Sequence, residues 1–242
     1  MYAIETVNLT KQYKDTLAVD HLNLQIRQGE LLSLLGVNGA GKTTAVKMLS
    51  CLTRPTSGDA YLNGKSICSD TAAVKACIAL SPQETAVAPG LTVRENLELM
   101  CGIYDFKKDK QKQKLAELTW QLGLETVLPK KAGKLSGGWQ RRLSIAMALI
   151  SQPEILFLDE PTLGLDVLAR SELWDVIRAL KGRVTVVLTT HYMEEAEALS
   201  DRIAIMKAGK LLICDTADKI KKTAGTDNFE QAFIRIVKGG AE

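Results

Sequence analysis

Apolar and polar residues alternate over the first thirty positions, through Ile4, Val7 and Leu9 and then Leu22, Leu24 and Ile26. Alternation of this kind predicts half-buried strands, and Asn63-Gly64 after Tyr61-Leu62 predicts a tight hairpin. The first part of the chain therefore begins as antiparallel sheet. Leu31 to Leu35 is an apolar run of the buried type, followed at once by the glycine-rich Gly36 to Gly41 and by a helical segment from Lys42 to about Leu52.

From about Pro89 to Ser151 the pattern turns helical. Thr92 with Glu95 three residues on spells a capping box, and Leu143, Met147 and Ile150 recur at helical spacing. After Pro153 come apolar strands (Ile155 to Leu158, Val184 to Thr189, Ile203 to Met206) separated by helix-length segments, Val167 to Leu180 and Tyr192 to Leu199. Strands alternating with helices predict an α/β fold with a parallel sheet covered on both faces. Lys207 to Lys210 reads as a turn into a last strand, Leu211 to Cys214. Asn228 and Gln231 then cap a short amphipathic helix carrying Phe229, Phe233 and Ile236. No internal repeat, low-complexity segment or long linker interrupts the chain.

Composition narrows the class. With 242 residues, 46% apolar and 24% charged, the chain matches an ordinary soluble protein of one or two domains and excludes disorder and collagen. No stretch approaches the roughly 18 apolar residues of a membrane helix, and Met1 to Leu9 lacks the pattern of a signal peptide, so a cytoplasmic location is expected. Five cysteines with no C-x-x-C pair, and two histidines, argue against structural zinc or a disulfide framework. Against 31 Lys plus Arg stand 28 Asp plus Glu, and 31 − 28 = +3 is too weak a balance to indicate nucleic acid. The densest basic stretch, Lys107 to Lys114, reads as a solvated helix face.

The strongest chemical signal is Gly36-Val37-Asn38-Gly39-Ala40-Gly41-Lys42-Thr43, a G-x-x-x-x-G-K-[ST] phosphate loop. Its glycines let backbone N–H groups point at the α- and β-phosphates, Lys42 adds charge toward the β- and γ-phosphates, and the Thr43 hydroxyl can ligate magnesium. The helix beginning near Lys42 aims its positive end at the same anion. Ile155 to Leu158 ends in Asp159-Glu160: the first carboxylate can hold magnesium, and the second can orient or polarise the attacking water. Leu135-Ser136-Gly137-Gly138 opens a helix, either as a simple cap or as a second anion-binding terminus.

These motifs, with Gly164-Leu165-Asp166 and His191 following in order, resemble the nucleotide-binding subunit of an ATP-binding cassette (ABC) transporter from about Tyr2 to Cys214. The resemblance implies a P-loop NTPase (RecA-like) parallel core with an antiparallel β-subdomain and an α-helical subdomain. It implies an ATP-binding domain over 1–215, its helical part about 89–151, and a short helical extension over 216–242. By the same likeness Tyr13 stacks on adenine and Gly36 to Thr44 hold the phosphates. Thr43, Asp159 and Gln83 meet Mg2+, with Gln83 also touching the nucleophilic water, and Glu160 and His191 carry hydrolysis. Ser136, Gly137 and Gly138 close over ATP held by the other subunit of a head-to-tail dimer, where Asp166 crosses the interface. Asp166 doubles as a helix N-cap before Val167. Trp139 stands where the family usually has glutamine.

Thr190 to Glu197 and the short tail are similar to the bacterial exporter branch that handles drugs, polysaccharides, bacteriocins or sodium. The resemblance implies a Mg-dependent ATPase that drives export through a separate transmembrane permease docked near Gln83 to Tyr104. Such a subunit sits on the cytoplasmic face of the membrane, as a homodimer or a heterodimer with a paralogue. An ABC ATPase acting on nucleic acid or the ribosome is the alternative; such proteins usually carry a coiled coil or two cassettes in one chain, and this sequence has neither.

Overall fold

A computed structural model of the chain describes residues 1–239, so the last three positions of the expected extension 216–242 lie outside the described residues. The alternating N-terminal segment forms β1 (Tyr2–Tyr13), β2 (Thr16–Leu22) and β3 (Gln25–Arg27), all antiparallel to one another where they pair. The buried run is β4 (Leu31–Leu35), and α1 (Lys42–Leu49) follows the glycine-rich loop. This helix stops earlier than the expected Leu52, because Cys51 takes a left-handed φ of 56° that no helix can continue.

Next come β5 (Ser57–Leu62) and β6 (Lys65–Ser66), joined through Asn63 and Gly64 at φ 48° and 77°, the left-handed pair that a two-residue hairpin requires. Then α2 (Thr71–Cys77) leads directly into β7 (Ile78–Ser81). The helical stretch contains α3 (Val93–Ile103), α4 (Lys108–Gln121) and α5 (Gly137–Leu149). Both arms of the Thr92–Glu95 capping box are present, with Glu95 N donating to Thr92 Oγ1 at 3.1 Å and Thr92 N to Glu95 Oε2 at 2.7 Å. The lysine-rich run departs from expectation at one place: Lys107, Lys108, Lys110 and Lys112 are exposed, whereas Lys114 is buried and pairs with Glu117 at 3.1 Å.

The remaining elements alternate as expected: β8 (Ile155–Asp159), α6 (Val167–Arg178), β9 (Thr185–Thr190), α7 (Met193–Leu199), β10 (Arg202–Lys207), β11 (Lys210–Asp215), α8 (Ala217–Thr223) and α9 (Phe229–Lys238). Asn228 Oδ1 caps α9 by accepting from Gln231 N at 2.9 Å, but the Gln231 side chain turns to Thr226 and does not close the box.

Two sheets result. One joins β2, β1, β5 and β6, with β3 also on β1; the other runs β11-β10-β4-β9-β8-β7 and is parallel except for β11. The parallel sheet is covered on both faces, as its strands demand. Leu32, Leu34, Phe157 and Met206 pack toward α1 and the antiparallel sheet. Leu31, Leu156, Leu158 and Leu188 pack toward the helices of residues 93–180. Leu35, Ile203 and Ile205 pack on Phe229 and Phe233 of α9. Fully burying one such side chain contributes about 1.5–3 kcal/mol, which makes the central strands a rigid base for the loops at their carboxyl ends. No helix among the described residues is long and apolar enough to cross a membrane.

Candidate functional site

Parallel register brings the chemical groups together. Strands β4, β9 and β8 lie side by side, so the loop after Leu35, the Thr190-His191 turn and Asp159-Glu160 all emerge at one edge. The Gly36 to Gly41 loop is fitted to its surroundings: Gly41 has φ 102°, and a Cβ there would stand 2.4 Å from the Ala18 carbonyl oxygen. Gly39, at φ 79°, has nothing within 4 Å of a would-be Cβ, so the tip of the loop is open for an approaching ligand.

Lys42 is buried behind this loop, its Nζ donating to the Gly36 carbonyl at 2.7 Å and lying 3.8 Å from Glu160 Oε1. Burial pushes its ammonium pKa down, and the Glu160 and Asp159 carboxylates oppose that shift. A partly desolvated cation is attracted to phosphate more strongly than one in water. Thr43 Oγ1 donates to Asp159 Oδ1 at 3.2 Å, which puts two hard oxygens side by side at the start of α1.

Glu160 is mostly buried and has a left-handed φ of 46°, a conformation that costs a non-glycine residue about 1–3 kcal/mol. The neighbouring strand holds it there: Glu160 N donates to Thr189 Oγ1 at 3.0 Å and to the Thr189 carbonyl at 3.1 Å. Thr189 Oγ1 in turn donates to Asp159 Oδ1. Residue 189 thus fixes the Asp159 carboxylate and the backbone of Glu160, a role that nothing in its sequence neighbourhood announces. His191 Nδ1 is hydrogen bonded to Glu160 Oε2 at 3.0 Å. An ionised carboxylate only accepts, so Nδ1 carries the hydrogen and Nε2 is left as the second polar atom of the ring.

The other sequence candidates lie outside this cluster. Gln83 is exposed in the turn after β7, and its carbonyl accepts from Arg141 at 2.6 Å, as the Pro82 carbonyl also does. Arg141, on α5, is therefore a second residue that the sequence did not single out; it ties the helix of Ser136 to the Gln83 turn. Tyr13 ends β1 half-exposed, with Lys11 Nζ 4.9 Å from its ring centre. Ser136 is the exposed N-cap of α5 but makes no side-chain capping bond. A Cβ on Gly138 would stand 3.1 Å from Ala169 Cβ, so its backbone packs closely on α6. Trp139 is half-buried beneath Arg142, 4.9 Å from its guanidinium, while the adjacent Gln140 holds the Ala132 and Leu135 carbonyls, each at 3.2 Å. Asp166 caps α6, its Oδ1 accepting from Ala169 N at 2.9 Å, and stays exposed.

Known proteins resemble the chain in sequence and in fold. The family described as ABC transporter matches residues 19–163. The chain is 40% identical over 240 residues to the daunorubicin resistance ATP-binding protein DrrA3 of Streptomyces coeruleorubidus, covering 99% of this chain and 76% of that one. It is 40% identical over 222 residues to the doxorubicin resistance ATP-binding protein DrrA of Mycobacterium tuberculosis, covering 91% and 67%. Among solved structures, the ATP-binding subunit of an ABC transporter superposes with a TM-score of 0.85 at 25% identity, over 97% of this chain and 99% of that one. A dimeric post-hydrolysis state of the ATP-binding cassette MJ0796 bound to ADP and phosphate superposes at 0.78 with 29% identity, over 88% and 98%.

Proposed function

The chain belongs to the ABC transporter family of ATP-binding subunits, and from that premise we propose which of its residues hydrolyse ATP and what the hydrolysis drives. It is an ATPase that powers export through a separate transmembrane permease. The observation that carries the residue assignment is the convergence of Lys42, Asp159, Glu160 and His191 at the carboxyl edge of β4, β8 and β9.

In this reading the backbone N–H groups from Gly36 to Thr44 wrap the phosphates, with Val37, Asn38 and Ala40 completing the loop, and Tyr13 stacks on the adenine. Lys42 moves from its loop carbonyls to the β- and γ-phosphate oxygens. The oxygen pair of Thr43 and Asp159, 3.2 Å apart, suits a hard cation such as magnesium, with Gln83 as a further oxygen ligand. Bound magnesium supplies charge that offsets the phosphates. Glu160 orients and polarises the attacking water, and His191, held through Nδ1, presents Nε2 to the γ-phosphate. EDTA is expected to stop turnover, with activity returning on excess Mg2+ and not on excess Na+; undiminished hydrolysis in EDTA would refute the metal assignment.

Ser136, Gly137, Gly138 and Asp166 form the surface offered to the second subunit. The Ser136 side chain makes no capping bond and Asp166 is exposed, which supports a role outside their own chain. A single chain carrying Lys42, Asp159, Glu160 and His191 supports a homodimer with two competent sites. We assign the ATP-binding unit to 1–215, with 89–151 as its helical part. A groove lined by Leu52, Leu80, Pro82, Met100, Tyr104 and Met147 adjoins the Gln83 turn and is the proposed seat of the permease, which would place the subunit on the cytoplasmic face of the membrane. The drug-resistance names of the relatives support an exporter. Tagging the chain in its host and purifying it from gently solubilised membranes should yield a stoichiometric polytopic membrane protein. Recovery of ribosomal or DNA-repair proteins without one would refute the transport reading.

A further inference from the structure

Glu195, on α7, has no exposed surface. Trp174 Nε1 on α6 donates to its Oε1 at 3.1 Å. Its Oε2, Thr162 Oγ1 and Arg170 Nε are all buried without a hydrogen-bond partner among the described residues. Burial pushes the carboxyl pKa up, while the facing hydroxyls of Thr190 and Thr162, the Trp174 indole and the Arg170 charge oppose that rise. Unpaired buried polar atoms are costly, so a carboxylate in this setting does less for stability than an apolar side chain would. Its surroundings indicate another use.

The segments that meet at Glu195 are those that carry the hydrolytic groups. Thr162 lies two residues beyond Glu160. Thr190 directly precedes His191, and its Oγ1 accepts from Tyr192 N at 2.9 Å. Arg170 and Trp174 belong to α6, the helix that Asp166 caps. The Arg170 guanidinium sits 4.6 Å from the centre of the Tyr192 ring, which is itself 4.1 Å from that of His191. A continuous set of contacts thus runs from His191 through Tyr192 and Arg170 to the helix of Asp166, and Glu195 is bonded to that same helix through Trp174.

We propose that Glu195 is a positioning residue that locks the His191 turn, which leads into its own helix α7, to α6, so that the His191 turn and the outward-facing Asp166 that caps α6 move as one unit. The proposal rests on the assignment of Glu160 and His191 given above. Glu195 touches no substrate; it acts through its hydrogen bond to Trp174 and through α7, which follows the His191 turn.

The test compares Glu195→Ala, Glu195→Gln and Leu199→Ala in the full chain; the last truncates a buried side chain of the same helix and serves as the purely structural control. ATP dissociation constant, KM, kcat per folded molecule and Tm are measured for each. Glu195→Ala should lower kcat at least tenfold with KM and the dissociation constant within twofold of wild type. Glu195→Gln, which keeps an acceptor for the Trp174 indole, should restore kcat to within threefold. Leu199→Ala should lower Tm and leave kcat within twofold. A Glu195→Ala protein that keeps its kcat like the control, or a Glu195→Gln protein as slow as Glu195→Ala, would overturn the proposal. Should Glu195→Ala not fold, Trp174→Phe removes the indole donor alone: a fall in kcat of threefold or more supports the proposal, and a smaller one overturns it. Glu160→Gln run alongside separates the two readings. Undiminished turnover there refutes the hydrolytic assignment itself, whereas full turnover in Glu195→Ala beside an inactive Glu160→Gln refutes only the positioning role.

Discussion

Glu160→Gln is expected to bind ATP within about twofold of wild-type affinity and to turn it over more slowly by a factor on the order of 10²–10⁴, the usual worth of a positioned general base. The substitution keeps the shape of a side chain held 3.0 Å from His191 Nδ1 and 3.8 Å from Lys42 Nζ. It also leaves the backbone bonds from residue 160 to Thr189 in place, so the left-handed turn should survive. What is lost is the carboxylate charge that we propose polarises water. Steady-state hydrolysis beside a nucleotide titration checks this, and turnover within tenfold of wild type would remove Glu160 from the role assigned to it.

Lys42→Ala is expected to weaken ATP binding by roughly 10- to 100-fold. A charge-assisted hydrogen bond to phosphate is worth about 1.5–3 kcal/mol, and each 1.4 kcal/mol is about a factor of ten in affinity. The Lys42 ammonium is already partly desolvated behind the loop, so little of that gain goes to stripping water from it on binding. No neighbour replaces the charge, because the groups opposing its pKa shift are the carboxylates of Glu160 and Asp159. Calorimetric titration of the variant measures the loss directly, and unchanged affinity would mean that the phosphates lie elsewhere.

The parts of this site that the sequence makes legible are those whose chemistry is local. The phosphate loop is one continuous stretch whose glycines answer steric demands visible in the fold, as Gly41 does against Ala18. Asp159-Glu160 stands out because an apolar strand ends there, and Asp166 because a helix begins after it. Thr189, Arg141 and Glu195 are illegible for the opposite reason. Thr189 reaches Asp159 only through the parallel pairing of β8 with β9, across thirty residues of chain. Arg141 meets the Gln83 turn across 58 residues, and Trp174 meets Glu195 across 21. Periodicity carries no information about such contacts.

Among the elements, α2 escapes notice because its preceding Asp70 does not cap it; the carboxylate accepts instead from Ser66 N at 3.1 Å and from the Ser69 hydroxyl at 2.8 Å. The early end of α1 depends on the backbone of Cys51, and the burial of Lys114 on its place against the helical core. Tertiary packing decides both.

In the proposed head-to-tail dimer, one subunit's phosphate loop is completed by another subunit's Ser136 helix. Light-scattering mass of the Glu160→Gln protein, measured with and without ATP and Mg2+, reports this assembly. The expected result is a 26.4 kDa monomer without nucleotide and twice that mass with it. A monomer under both conditions, with wild-type hydrolysis intact, would contradict the head-to-tail site.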